Sequence, residues 1–404
     1  MTTRKVTFSN SANEPLAALL DLPVGREPSA YAIFAHCFTC SKNIKAAAFV
    51  SRTLAREGIA VLRFDFTGLG ESSGVFADSN FSSNVDDLLM AAAFLDREHQ
   101  SPALLIGHSL GGAAAIEAAA RLESVRAVIT IATPSDPAHV VKQFGPQRNE
   151  ILAAGEAEVA IGGQPFRVKK QFLDDVGNHR LEKTLAGLRK ALLIMHSPVD
   201  QVVSIEHAAA LFKAAKHPKS FISLETADHL LSKEPDAVYT GRMAAAWASR
   251  FLGLQRLNQD ADHQDNRVVA RIEEGFRTEI IANGHSLIAD EPVASGGTNS
   301  GPSPYDLLVA GVGACTAMTL RMYADHKKLP LEAVNVTLNH RKIHAADCQT
   351  CETKEGKIDR IERSIEMIGE LTDEQRRRMV EIADRCPVHR TLHSEVEIVT
   401  RLVE

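Results

Sequence analysis

Ser109 stands in Gly107-His108-Ser109-Leu110-Gly111, after the apolar run Pro102-Ala103-Leu104-Leu105-Ile106 and before an alanine-rich stretch from Gly112 to Arg121. A buried strand that enters G-x-S-x-G and leaves as a helix predicts a tight turn, flanked by small residues because side chains do not fit there. Such a turn presents the serine hydroxyl as a nucleophile. A hydroxyl is weakly nucleophilic by itself, so it needs a base, a carboxylate to orient the base, and donors for the oxyanion. Asp200, in Ser197-Pro198-Val199-Asp200-Gln201, and His229, in Ala227-Asp228-His229-Leu230, each follow a strand-like run and supply the carboxylate and the base. Asp228 is the wrong orienter, because adjacent side chains rarely face each other; it reads as a turn residue.

Thiols offer a second chemistry. Cys37 and Cys40 have C-x-x-C spacing directly after His36. Two readings stay open for them: small buried thiols that pack like apolar residues, or a redox pair whose oxidation would distort the surrounding loop. Cys315, in Gly313-Ala314-Cys315-Thr316, and Cys386, in Arg385-Cys386-Pro387-Val388-His389, lie far apart in sequence. Cys348 and Cys351, preceded by His340 and His344, are residue types that suit zinc. Their spacing is not that of a usual metal site, so an exposed polar loop is expected, with no metal and no cofactor. His389 and His393 read as helix-face residues near Cys386.

The elements that must position these groups fall into two unlike halves. In the first, strand-like runs (Tyr31 to Ala35, Ala60 to Phe64, Ala103 to Ile106, Ala127 to Ile131, Ala191 to His196, Lys219 to Leu224) alternate with helix-like segments, which predicts an α/β layer fold with a mostly parallel sheet. Val6 to Phe8 and Leu16 to Asp21 read as an antiparallel entry hairpin. A polar stretch, QRLNQDADHQDN, then separates residues 1–255 from 267–404, with 256–266 as an interdomain linker. Beyond it come strands Val268 to Ile272 and Phe276 to Ile281 and a helix near Tyr305 to His326. Strands Ala333 to His340 and Lys357 to Ile368 and two further helices complete a separate α+β domain.

The 404 residues are too many for one core. With 45% hydrophobic and 24% charged residues the chain has the composition of a soluble globular protein. A net charge of −6 argues against nucleic acid and anionic membranes as partners. The start, Met1-Thr2-Thr3-Arg4-Lys5-Val6-Thr7, lacks the apolar stretch of a signal peptide, and no apolar run approaches a bilayer span. Six cysteines in such a chain read as reduced or catalytic thiols rather than a disulfide scaffold, and the expected compartment is the cytoplasm.

The order Ser109, Asp200, His229 and the elbow around Ser109 resemble the α/β-hydrolase superfamily over residues 1 to about 255. The resemblance implies the α/β-hydrolase fold, helices on both faces of the sheet, and a small lid at about 135–185 whose Phe144, Phe166 and Phe172 could line an acyl pocket. It also implies oxyanion donors from the backbone amides of Phe38 and Leu110, and a small-molecule acyl ester as substrate. Arg63-Phe64-Asp65-Phe66-Thr67-Gly68-Leu69-Gly70-Glu71-Ser72 resembles that superfamily's glycine turn, not a dinucleotide fingerprint.

Gly301-Pro302-Ser303-Pro304-Tyr305-Asp306-Leu307-Leu308, with the motifs around Cys315 and Cys386, resembles the OsmC family over about 267–404. That resemblance implies a homodimer and a thiol site that reduces organic hydroperoxides, with Cys315 peroxidatic and Cys386 resolving. Peroxidase members carry a glutamate where this chain has Tyr305, and Arg271 or Arg277 could activate the thiol. The leading expectation is a serine carboxylic ester hydrolase fused to an OsmC-like domain. The alternatives are a cysteine-based hydroperoxide reductase with an accessory hydrolase half, and an OsmC domain that only dimerises.

Overall fold

The computed structural model describes residues 2–24, 27–253, 267–272, 275–283, 285–345 and 356–402. The chain divides into two compact units, Met1–Val269 with Ile281–Ser286, and Ala270–Ile280 with Leu287–Glu404. The linker expected at 256–266 lies outside the described residues, as do Cys348 and Cys351.

The first unit begins with an antiparallel hairpin of β1 (Thr2–Ser9) and β2 (Pro15–Leu22). There follow β3 (Ala30–Ala35), α1 (Lys45–Arg56), β4 (Ile59–Phe64), α2 (Phe81–Glu98), β5 (Leu104–His108), α3 (Leu110–Arg121) and β6 (Ala127–Ile131). An insertion comes next: a 3-10 segment (Pro137–Phe144), α4 (Gln147–Ala154), a hairpin of β7 (Glu156–Ile161) and β8 (Gln164–Lys169), α5 (Lys170–Val176) and α6 (Leu181–Gly187). Then β9 (Ala191–His196), α7 (Ile205–Ala214), β10 (Lys219–Ser223) and α8 (Glu234–Leu252) complete the unit.

Eight strands form one sheet in the order β1-β2-β4-β3-β5-β6-β9-β10. Every pairing from β4 to β10 is parallel. Strands β3, β4, β5, β6 and β9 are buried along their whole length. That burial is why they read as unbroken apolar runs instead of alternating ones. One face packs on α2, α3 and the insertion, and the other on α1 and α8. The expected lid region is therefore the insertion after β6. Its β7–β8 hairpin was not anticipated, although Gly162 and Gly163 at its turn, both with positive φ, are the residues a two-residue hairpin loop favours.

In the C-terminal part, β11 (Val268–Ile272), β12 (Thr278–Ala282) and β13 (His285–Ala289) form a three-stranded sheet. After them come α9 (Pro304–Lys327), the antiparallel pair β14 (Leu331–His344) and β15 (Lys357–Gly369), α10 (Asp373–Ala383) and α11 (Pro387–Leu392). Helix α9 starts with a capping box between Ser303 and Asp306. Its Leu320 and Ala324 share a small core with Met367, Met379 and Ala383. One expectation needs correcting here. By length and composition α9 is apolar enough to cross a membrane, with a mean hydropathy of 1.4 over its most apolar window, although Thr316, Thr319 and Arg321 interrupt the run.

Candidate active site

Ser109 sits between β5 and α3 with φ 54° and ψ −125°, in the left-handed region that a residue with a side chain rarely adopts. The crowding around it explains the flanking glycines. A Cβ on Gly107 would lie 2.3 Å from the Gly111 carbonyl oxygen, and one on Gly111 would lie 2.3 Å from the His36 carbonyl oxygen. The Ser109 amide donates to the Ile131 carbonyl at 2.8 Å, which ties the turn to the neighbouring strand.

Asp200 follows β9 and His229 follows β10, so both emerge at the carboxyl ends of parallel strands, where Ser109 also lies. The structure brings the three together. His229 Nδ1 donates to Asp200 Oδ2 at 2.8 Å, which leaves Nε2 as an acceptor 3.1 Å from Ser109 Oγ. Asp200 Oδ1 accepts from the amides of Val202 and Val203 at 2.8 and 2.9 Å. Burial alone would raise the Asp200 pKa. The hydrogen bond to His229 and the two amides are among the groups that outweigh burial and hold the carboxyl below its ordinary value. Asp228 faces elsewhere and accepts from the amide and hydroxyl of Ser232, as a turn residue does.

Phe38 lies in the turn after β3 and Leu110 opens α3, and both line one narrow cavity with Phe66, Leu69 and Phe76. The insertion closes over this place. The Phe38 ring packs against Phe172 at 5.1 Å, Phe76 at 5.6 Å and Phe144 at 6.2 Å between centroids, and Phe166 joins through Phe76. Phe144 and Phe172 are buried in the main core, so they build the wall behind Phe38.

Cys37 and Cys40 form a disulfide, which corrects the expectation of reduced thiols and the reading of the pair as free packing residues. The turn brings the two Cα atoms to 5.3 Å, within bridging range, and the Cys40 amide donates to the Cys37 carbonyl. With the bond formed, Phe38 and Leu110 line one cavity.

Sequence reasoning missed the groups that hold this loop. Lys42 is buried, donating from Nζ to Asp65 at 2.5 Å and to Glu71 at 2.7 Å, while its amide donates to Asp65 at 2.6 Å. Arg63 donates to the Lys42 carbonyl at 2.6 Å and pairs with Asp21 at 2.7 Å. The available signal was a set of charges in and beside a strand that is otherwise apolar. His36, buried, donates from Nδ1 to the Cys37 carbonyl at 2.8 Å and accepts the Phe66 amide at Nε2; burial pushes its pKa down to about 4, so the ring stays neutral.

In the C-terminal unit Cys315 on α9 is partly exposed and Cys386, just before α11, is buried; the two thiols share a hydrogen bond. Burial and that hydrogen bond raise the Cys315 pKa. Burial also acts upward on Cys386. The hydrogen bonds from Cys315, from the amides of His389 and Val388 and from Thr316 overcome it, and Cys386 lies below the ordinary thiol value.

Arg363 reaches the helix that carries Cys315: it donates to Thr316 Oγ1 at 3.1 Å and to the Ala383 carbonyl at 3.2 Å, and pairs with Asp384 at 2.6 Å. Of Arg271 and Arg277, the arginines that the sequence offered, Arg277 pairs with Glu279 at 3.5 Å. Tyr305 stacks on His340 at 4.4 Å, and Asp306 is engaged in the cap of α9. Neither stands in for a glutamate. His389, on α11, and His393, just past its end, pack with ring centroids 4.6 Å apart and planes tilted by 37°. Among the described residues, no cluster of three or more His, Cys, Asp or Glu could hold a metal.

Comparison with known proteins accords with this division. The family model of serine aminopeptidases, S33, matches residues 27–160, and that of OsmC-like proteins matches 297–401. A solved esterase domain from a Rhodothermus marinus protein is 51% identical, covering 63% of this chain and 100% of that domain with a TM-score of 0.54. The palmitoyl-protein thioesterase ABHD10, mitochondrial, of Mus musculus is 27% identical over 245 residues, 58% of this chain and 73% of that protein. For the Homo sapiens counterpart the matched stretch is 55% of its length. The solved mouse alpha/beta hydrolase domain-containing protein 10, at 23% identity, a TM-score of 0.52 and coverage of 61% of this chain and 99% of that one, shares the fold. Through its first unit the chain belongs to the α/β-hydrolase family, beside esterases, and it carries an OsmC domain after that unit.

Proposed function

We propose that the chain is a serine hydrolase of carboxylic esters and thioesters. The observation that carries this reading is the Ser109 hydroxyl 3.1 Å from the unprotonated nitrogen of His229. His229 takes the Ser109 proton as the oxygen attacks the acyl carbon, and Asp200 stabilises the imidazolium that results. The amides of Phe38 and Leu110 receive the oxyanion. The alcohol or thiol leaves with the proton from His229, and water repeats the sequence to free the acid. The cavity lined by Phe38 and Leu110 is narrow, about 10 Å³, room for no more than about one water molecule.

Turnover of p-nitrophenyl butyrate tests the assignment. Ser109→Ala and His229→Ala are each expected to lose about 10³-fold or more in kcat with the circular dichroism spectrum unchanged. Asp200→Asn is expected to be severe and Asp228→Asn mild. Activity that survives in Ser109→Ala, or the reverse order for the two aspartates, would overturn it.

The thiol pair supports a second activity, reduction of organic hydroperoxides. One thiolate attacks the O–O bond and becomes a sulfenic acid as the alcohol leaves; the second thiol displaces water to form a Cys315–Cys386 disulfide, which an external dithiol reduces. Cys315 is the more exposed sulfur and the one assigned the attack. Its raised pKa and the absence of a glutamate at Tyr305 predict slow turnover. Peroxide consumed per chain, with dithiol supplied, is expected to vanish in Cys315→Ser and to become substoichiometric in Cys386→Ser. Unchanged consumption in Cys315→Ser would remove the reading.

The same domain is proposed to make the protein a homodimer. Leu308, Met318 and Met322 are 42%, 66% and 72% exposed on α9, and with Gly311 and Cys315 they follow the three-and-four spacing of a helix seam. Sedimentation of the intact chain is expected to give the two-chain mass, and Met318→Glu to give the single-chain mass. A monomeric unaltered chain would contradict it.

A further inference from the structure

Two buried imidazoles outside the Ser109–His229–Asp200 set stand at the ends of strands that deliver it. His108 closes β5 beside Ser109, and His196 closes β9 four residues before Asp200. Both rings are fully buried. His108 Nε2 lies 2.6 Å from the carbonyl oxygen of His229, and His196 Nε2 lies 2.7 Å from that of Val203. A carbonyl oxygen only accepts, so each ring carries its proton on Nε2 and donates it.

The two residues are held by the sheet ladder: His108 pairs in register with Ile131, and His196 with Ser223. The residues they grip belong to loops. His229 lies in the loop after β10, and Val203, with Val202, supplies the amides that bind Asp200. The arrangement thus passes the rigidity of paired strands to the loop groups whose geometry matters.

We infer that His108 and His196 are positioning residues of the hydrolase, struts that fix His229 and Asp200 relative to Ser109 through their backbone carbonyls. The inference rests on the serine-hydrolase reading above. Both struts are neutral. Burial, and then the neighbouring His229, push the His108 pKa down to about 3, against the opposing pull of Asp200. Burial also lowers His196, which faces Asp200, His229 and Glu206. Neutrality is required of them: the His108 ring lies 5.2 Å from that of His229, and a charge there would oppose the one His229 gains when it takes the Ser109 proton.

The test is steady-state hydrolysis of p-nitrophenyl butyrate by the intact chain as a function of pH, for His108→Leu, His108→Asn, His108→Gln and the matching His196 variants, with melting temperatures. Leucine removes the donor, asparagine keeps polarity but falls short of the carbonyl, and glutamine keeps a donor of similar reach. A misplacement near 1 Å costs about 10²-fold in rate. His108→Leu and His108→Asn are therefore expected to lower kcat by about 10- to 100-fold, with KM within about twofold. The acidic limb of the kcat/KM profile should move to lower pH as His229 loses its alignment with Asp200, and His108→Gln should restore most of kcat. If the leucine variant does not fold, the asparagine and glutamine pair decides the matter. Wild-type kcat with an unmoved acidic limb in the folded Asn variant, or equal losses in Asn and Gln that track melting temperature, would overturn the inference. Ser109→Ala, run in parallel, separates the two levels: an active Ser109→Ala removes the serine-hydrolase reading, whereas a dead one beside fully active His108 variants removes only the struts.

Discussion

A strand end and a helix start approach each other so closely in the first unit that no side chain fits between them. A Cβ on Gly111 would lie 2.3 Å from the His36 carbonyl oxygen and 2.5 Å from that of Ala35. This one contact between the end of β3 and the start of α3 has two consequences. It permits the left-handed turn that presents Ser109, and it draws the loop after His36, with Phe38, to the same cavity as Leu110. The nucleophile and the proposed oxyanion donors therefore depend on the same steric condition. The strain of the turn is held by neighbours that over-determine it, among them the Ser109 amide bound to Ile131.

Around that contact the polar groups form layers of increasing rigidity. Loop residues make the hydrogen-bonded set Ser109, His229 and Asp200. Behind them, His108 and His196 reach out from ladder positions. The oxyanion loop has its own support, in which the Cys37–Cys40 bond closes the turn and the buried Lys42–Asp65 pair, with Arg63, holds the chain just beyond it. A buried ion pair gains little net stability over apolar packing. Its contribution here is definition of backbone position, since Lys42 is gripped at its amide, its carbonyl and its ammonium group.

Much of this fold is legible because burial leaves a direct mark on residue type. Strands such as Tyr31 to Ala35 and Leu192 to Met195 are apolar throughout, as strands covered on both faces must be, and the residues following them mark the site end of the sheet. The elbow is legible for the same reason, since missing side chains are visible in sequence. Contacts between distant segments leave no such mark. Arg363 meets Thr316 across 47 positions, and His108 meets His229 across 121. Neither residue type differs in the sequence from an ordinary surface arginine or packed histidine. The Cys37–Cys40 bond was open to two readings because spacing alone does not give the turn that joins them. The β7–β8 hairpin was hidden inside a region read as a lid, despite Gly162-Gly163 at its turn.

The central claim is that the strained serine is the reacting atom, and covalent trapping measures that directly. The intact chain, treated with a fluorophosphonate that esterifies activated serines and digested for mass spectrometry, should carry one adduct, on Ser109, and His229→Ala should carry none over the same time. An adduct on another residue, or a chain that hydrolyses esters while Ser109 remains unlabelled, would contradict the account.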